Sequence, residues 1–145
     1  MTSEQTVPER PDQVLEFTLG NKHYCVGIDV VDEIVRRQSV TPMPDTPPQV
    51  VGMMDLRGET TTILDPKQVL EIGNDRATEY VIIFDRQGDR QIGWLVDEVH
   101  EVADLSKPEI NPVDDSKYLN GVVSENDQFT MWVDPSTLNG AVARE

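Results

Sequence analysis

From Val14 onward, apolar and polar positions alternate with a period of two, which places successive side chains on opposite faces of a β-strand. Leu15, Phe17 and Leu19 alternate with Glu16 and Thr18, and Gly20-Asn21 supplies a hairpin turn into a second strand through Tyr24, Val26 and Ile28. In the next segment, Val31, Ile34 and Val35 fit a helical face or a bent strand, and the density of β-branched residues favours strand. SVTPMPDTPPQ carries four prolines in eleven positions, which excludes helix and central strand and predicts an ordered connection or loop. Val50 to Leu56 and Thr60 to Leu64 then read as strands on either side of Arg57-Gly58-Glu59. Asp65-Pro66 combines a helix N-cap with proline at the first helical position, predicting a short helix over Lys67 to Glu71.

The second part of the chain repeats this grammar. Glu79 to Asp85 and Arg90 to Val96 are apolar runs joined by Gln87-Gly88, and a polar loop with Pro108 and Pro112 follows. Gly121 to Ser124 and Phe129 to Val133 form a last hairpin across Asn126-Asp127, and Asp134-Pro135 caps a short closing helix. Asp29, Val31, Glu33 and Ile34 recur 68 positions later as Asp97, Val99, Glu101 and Val102. Gly52, Leu64, Asp65 and Pro66 recur 69 positions later as Gly121, Val133, Asp134 and Pro135. Two matches in one order with nearly one offset indicate a duplicated β unit. The expectation is an all-β fold of two packed five-stranded SH3-like barrels with short helices, sharing an apolar seam. Residues 1–13 read as a polar tail, 14–138 as the folded domain with its internal boundary near 72–78, and 139–145 as a C-terminal tail.

Charge narrows the partners. The 145 residues hold 27 Asp plus Glu against 12 Lys plus Arg, a formal charge of −15, which repels nucleic acid and anionic lipid. The acid is spread along the whole chain and only four of the basic residues are Lys, a surface suited to concentrated salt, where the screening length shrinks to about 3 Å near 1 M. No apolar run approaches the roughly 20 residues of a membrane span, and the N-terminus lacks the apolar centre of a signal peptide, so a cytoplasmic location is expected. Cys25 is the single cysteine and sits in a strand pattern that predicts a buried, inert thiol.

Catalytic chemistry needs a nucleophile with a base, carboxylates in unlike environments, or a metal cluster. His23 and His100 lie in separate strand-like segments with no partner ligand at suitable spacing, and read as surface or edge residues. The carboxylates show no EF-hand spacing, the glycines follow turn logic rather than a phosphate loop, and Trp94 and Trp132 read as core. No enzyme, cofactor or metal is expected. A second class, an acidic barrel that binds a metal or a small ligand through its carboxylates, stays open on residues alone.

EFTLGNKHYCVGIDVVDEI (Glu16 to Ile34), TPMPDTP, VVGMMDLRG (Val50 to Gly58), IGWLVDEVHEV (Ile92 to Val102) and YLNGVV (Tyr118 to Val123) together resemble the CheW family of chemotaxis coupling proteins. The resemblance runs in order from Val14 to Leu138, and the strand ending in LRG is its most specific part. It implies two five-stranded barrels and an adaptor that joins the regulatory domain of the histidine kinase CheA to the cytoplasmic tips of chemoreceptors, recruited to their membrane-associated arrays. The chain length leaves no room for the kinase itself or for an appended receiver domain.

Carried over by position, the resemblance implies a receptor-facing groove at Val31, Glu33, Ile34, Gly52, Val99 and Val102, and a kinase-facing surface at Arg57 with Val40, Met43 and Asp55. Gly52 would admit a close approach that a side chain would obstruct, so Val31→Asp and Gly52→Asp are expected to weaken receptor recruitment with the fold intact. The plainer alternative for the valines is seam core. Arg57 offers a planar fork of donors to a partner, or closes its own turn. Asp55 stands where the family pattern has Asn, which raises an internal Asp55–Arg57 pair as a competitor.

The charge excess yields a direct test: unfolding midpoints in molar KCl are expected to lie above those in dilute buffer. Equal midpoints would remove the high-salt reading.

Overall fold

A computed structural model describes residues 11–70, 72, 78–86, 90–105, 109–111, 113, 117–125 and 127–143. The expected Gln87-Gly88 turn, Pro108, Pro112, Asn126 and most of the N-terminal tail and of the 72–78 boundary lie outside the described residues. The strands run, in order, β1 (Gln13–Leu19), β2 (Lys22–Gly27), β3 (Val31–Arg36), β4 (Val40–Thr41), β5 (Val50–Leu56), β6 (Glu59–Leu64), β7 (Tyr80–Phe84), β8 (Ile92–Val96), β9 (Glu98–Asp104), β10 (Glu109–Asn111), β11 (Leu119–Glu125) and β12 (Gln128–Val133). Helix α1 (Pro66–Leu70) follows β6, and α2 (Pro135–Ala143) follows β12.

Both helices start as their Asp-Pro pairs dictate. Asp65 Oδ1 accepts from the Lys67 backbone N–H at 3.1 Å, and Asp134 Oδ1 accepts from the Ser136 N–H at 3.0 Å. The second helix continues through the stretch expected as a tail: Asn139 is buried, and its Oδ1 accepts from Trp94 Nε1–H at 2.8 Å. The Val31 to Arg36 segment is strand, as its β-branched residues favour. Ile28, expected to end the second strand, instead opens a 3-10 turn over Ile28–Val30 that redirects the chain.

The strands form two sheets of six, in the equivalent orders β3-β7-β8-β6-β5-β4 and β9-β1-β2-β12-β11-β10. Each is the expected five strands plus one short edge strand, β4 or β10. In each sheet, residues of both edge strands pack against one core, Val35 and Val40 on one and Ala103 and Ile110 on the other, so each sheet curls into a barrel. The duplication is visible in the irregularities too. The β5–β6 ladder slips between Val50 and Gly52, and the β11–β12 ladder slips between Leu119 and Gly121.

The repeats in sequence are not the barrels in space. Hairpin β1–β2 joins the strands that follow β8, and hairpin β7–β8 joins β3 to β6, so each barrel borrows a hairpin from the other half. Both borrowed hairpins attach through a parallel pairing, β8 on β6 and β2 on β12. A fold boundary near 72–78 therefore does not exist as a plane through the molecule.

Borrowed hairpins explain why these strands are apolar on both sides. On β7, Val81 and Ile83 enter their own barrel while Ile82 and Phe84 enter the seam, and on β1, Val14 faces one core while Leu15, Phe17 and Leu19 face the other. The seam holds the largest core: Phe17 and Tyr24 stack with centroids 6.0 Å apart, and Trp94 meets Phe84 edge-on at 4.7 Å.

One ion pair ties the exchange together. Lys67 on α1 donates from Nζ to Asp97 Oδ1 at 2.8 Å, and the two side chains are only 1% and 2% exposed. The other carboxylate oxygen accepts the Gly20 backbone N–H at 2.8 Å, in the β1–β2 turn, and the Asp97 N–H donates to the Thr18 carbonyl at 3.1 Å. Helix α1, the end of β8 and the borrowed hairpin thus meet at one carboxylate. Lys67→Met leaves that carboxylate buried without its counter-charge, at an expected cost of about 3–5 kcal/mol. Urea unfolding should show it as a lower midpoint with the m-value unchanged.

Candidate protein-docking surfaces

Sheet order determines where side chains can still meet a partner. Strands β3 and β9 are equivalent edges of the two sheets, each hydrogen-bonded on one side only, to β7 and β1 respectively. Val31 on β3 and Val99 on β9 are half-buried against the same seam cluster. Three residues further on, past a register shift in each ladder, Ile34 and Val102 are 39% and 44% exposed, among the few large apolar side chains that face solvent. The duplication therefore presents the same apolar pair twice, once from each barrel, at the edges of one seam. Val31 and Val99 contribute to the core, whereas Ile34 and Val102 are surface.

Gly52 is different. It lies on β5 with φ of +155°, and a Cβ placed there would stand 2.1 Å from the Thr41 carbonyl oxygen. The close approach it admits is that of the chain's own connection, β4 laid over β5. Its repeat counterpart Gly121 accommodates β10 in the same way, with a Cβ 2.9 Å from the Asn111 carbonyl oxygen. An intact Gly52→Asp variant is thus not the expected result.

The Arg57-Gly58 turn has φ of 52° and 87°, the two positive values of a type I′ hairpin. Asp55 Oδ1 accepts the Gly58 N–H at 2.9 Å and so closes this turn, rather than pairing with Arg57. The Arg57 guanidinium, 67% exposed, reaches across the barrel mouth to an ion pair with Glu33 on β3. That hydrogen bond and the Glu33 charge, with help from Asp32 and Glu59, push the Arg57 pKa above its usual range, so the group stays charged at any working pH. Two residues expected on separate surfaces, Glu33 and Arg57, are therefore direct partners. Met43 is 40% exposed in the connection after β4, toward the end of β5 away from the Arg57 turn, while Val40 is partly buried against the barrel core.

Phe129 on β12, 66% exposed, is the most exposed large apolar residue described. An aromatic in an apolar strand reads as core, so no sequence signal marked it. Cys25 is buried, and burial, then the Glu16 charge, raises its thiol pKa to about 12, as an inert core thiol requires. Among the described residues no group of three or more metal-ligating side chains occurs, and no helix is long and apolar enough to cross a membrane.

The described surface thus consists of paired barrels with apolar edges and a charged turn. Comparison with known proteins identifies the class. The family model of the CheW-like domain matches residues 13–142. A chemotaxis protein CheW of Rhizobium meliloti is 34% identical over 104 residues, 71% of this chain and 67% of that protein. The CheW of Klebsiella aerogenes is 30% identical over 129 residues, 84% and 78% of the two chains. Among solved structures, the scaffolding protein TtCheW from Thermoanaerobacter tengcongensis superposes with a TM-score of 0.76 at 26% identity, covering 86% of this chain and 90% of that one. The chain belongs to the CheW family and is an adaptor protein of chemotaxis.

Backbone strain and the overlap at Thr41 together predict that Gly52→Ala costs about 3 kcal/mol or more. Gly58→Ala, with open space around its Cβ, should cost only about 1–2 kcal/mol for the left-handed conformation. Thermal unfolding of the two variants side by side separates close packing from turn geometry.

Proposed function

We propose that this chain couples chemoreceptors to the histidine kinase CheA, with the receptor tip held at the seam edges and the kinase on the first barrel. The observation that carries this reading is the doubled apolar pair, Val31 with Ile34 and Val99 with Val102, offered from equivalent edge strands. A receptor tip is a helical hairpin, and apolar side chains from two barrels suit one amphipathic helix face. Glu33 flanks the β3 pair, and Gly52 acts indirectly, by seating the connection that carries Met43. Arg57, Met43, Asp55 and Val40 form the kinase side, with Arg57 as the charged contact and Asp55 as the residue that shapes its turn.

The Glu33–Arg57 pair does not remove Arg57 from this role. An exposed ion pair contributes little and exchanges readily for a partner's carboxylate or carbonyls. The scaffold would sit in the cytoplasm and be recruited to receptor arrays, whose cohesion arises from many small contacts acting together.

Co-sedimentation with receptor fragments and CheA in molar KCl tests the whole proposal, and failure to bind either partner would sink it. Val102→Asp, at an exposed site, is expected to weaken receptor binding about tenfold or more with the unfolding midpoint unchanged. Arg57→Ala should weaken CheA binding by a similar factor and leave receptor binding intact. Unchanged affinity in either case clears that residue.

A further inference from the structure

The chain's only two histidines, distant in sequence, are neighbours in the fold. His23 is on β2 and His100 on β9, the strands that flank β1 in the second barrel. Both side chains are exposed, and their ring centroids are 6.0 Å apart with planes tilted by 38°. Thr18, between them on β1, pairs in register with His23, and its hydroxyl lies 2.6 Å from Nε2 of His100. The Glu98 carboxylate is 3.8 Å from the same nitrogen.

An ion bound by one nitrogen from each of two imidazoles, at about 2.0–2.1 Å, holds the ring centres about 5–6 Å apart. The observed separation of 6.0 Å falls at the upper end of that range, and since Nε2 of His100 lies on Thr18, Nδ1 is the nitrogen this ring would offer. We propose that His23 and His100 form a binding site for Zn2+, with the protein supplying two imidazole ligands and water the remaining positions. Imidazole suits zinc better than the hard cations Mg2+ and Ca2+, which take oxygen ligands. Thr18 orients the His100 ring, and Glu98 adds negative charge beside it. A bound ion bridges over β1 and fastens β9, an edge strand whose ladder partner is β1 alone. Since β9 carries Val99 and Val102, the site would stiffen one of the two docking edges.

The test is calorimetric titration of Zn2+ into the full chain, with millimolar Mg2+ present to occupy surface carboxylates. One saturable site is expected, weakened about tenfold or more by His23→Gln and by His100→Gln separately. Amide exchange of β9 should slow on zinc addition in the parent chain and not in the variants. Both substitutions are at exposed positions, and glutamine can keep the bond to Thr18. Absence of saturable binding, binding that survives in the double variant, or loss in only one of the single variants would overturn the paired site.

Discussion

A lysine and an aspartate removed from water at the junction of two barrels set the terms for the rest of the molecule. Desolvating both charges costs several kcal/mol each, and their attraction offsets this only when every remaining lone pair and proton is used. Asp97 takes Lys67 on one oxygen and the Gly20 N–H on the other, so neither oxygen is left without a partner. The pair thereby ties the β1–β2 turn to the first turn of α1 through one carboxylate. The duplicated half lacks it. Ser136 stands where the repeat would put a second lysine and turns its hydroxyl to Asp134 instead, while Asp29, the counterpart of Asp97, is exposed.

Because the borrowed hairpins bury apolar residues toward two cores, they leave little beyond their polar ends, such as Lys22 and His23, for a partner. What remains for docking is the periphery: edge strands, turn tips and the connection laid over β5. Strand edges commonly invite unwanted pairing. Here β3 alternates half-buried and exposed side chains, and Asp32 and Glu33 place charge beside its apolar pair. The molecule thereby combines a well-packed interior with surfaces that are each small, a distribution that suits an adaptor protein.

Most strands were legible in the sequence because twofold alternation and Asp-Pro caps are local signals. Strand β9 was less so: His100 read as strand-like, but Glu98, Glu101 and Asp104 break the apolar alternation and no strand bounds followed, since an edge strand has one ladder and much exposed side chain. Strand β4 was hidden by the prolines around it. The duplication was legible from spacing, but the hairpin exchange was not, for a repeat offset says which residues correspond and nothing about which sheet a hairpin joins. At the candidate site, the repeat offset made Val99 and Val102 the counterparts of Val31 and Ile34 without assigning the second pair to a strand. It could not foresee that Arg57 pairs with Glu33 rather than Asp55, or that the neighbour crowding Gly52 is Thr41, because both depend on how the sheet curls.

The reciprocal loan of hairpins is the arrangement of a domain-swapped homodimer whose two subunits have been joined end to end. What would be an interface between chains has become an interior, and contacts once related by symmetry are free to differ, as Lys67 and Ser136 do. Neither barrel can come apart without surrendering strands that belong to the other. A force or a fluctuation applied to one barrel is therefore shared with its neighbour through the covalent chain itself, and the edge strands β3 and β9 ride on a single mechanical body.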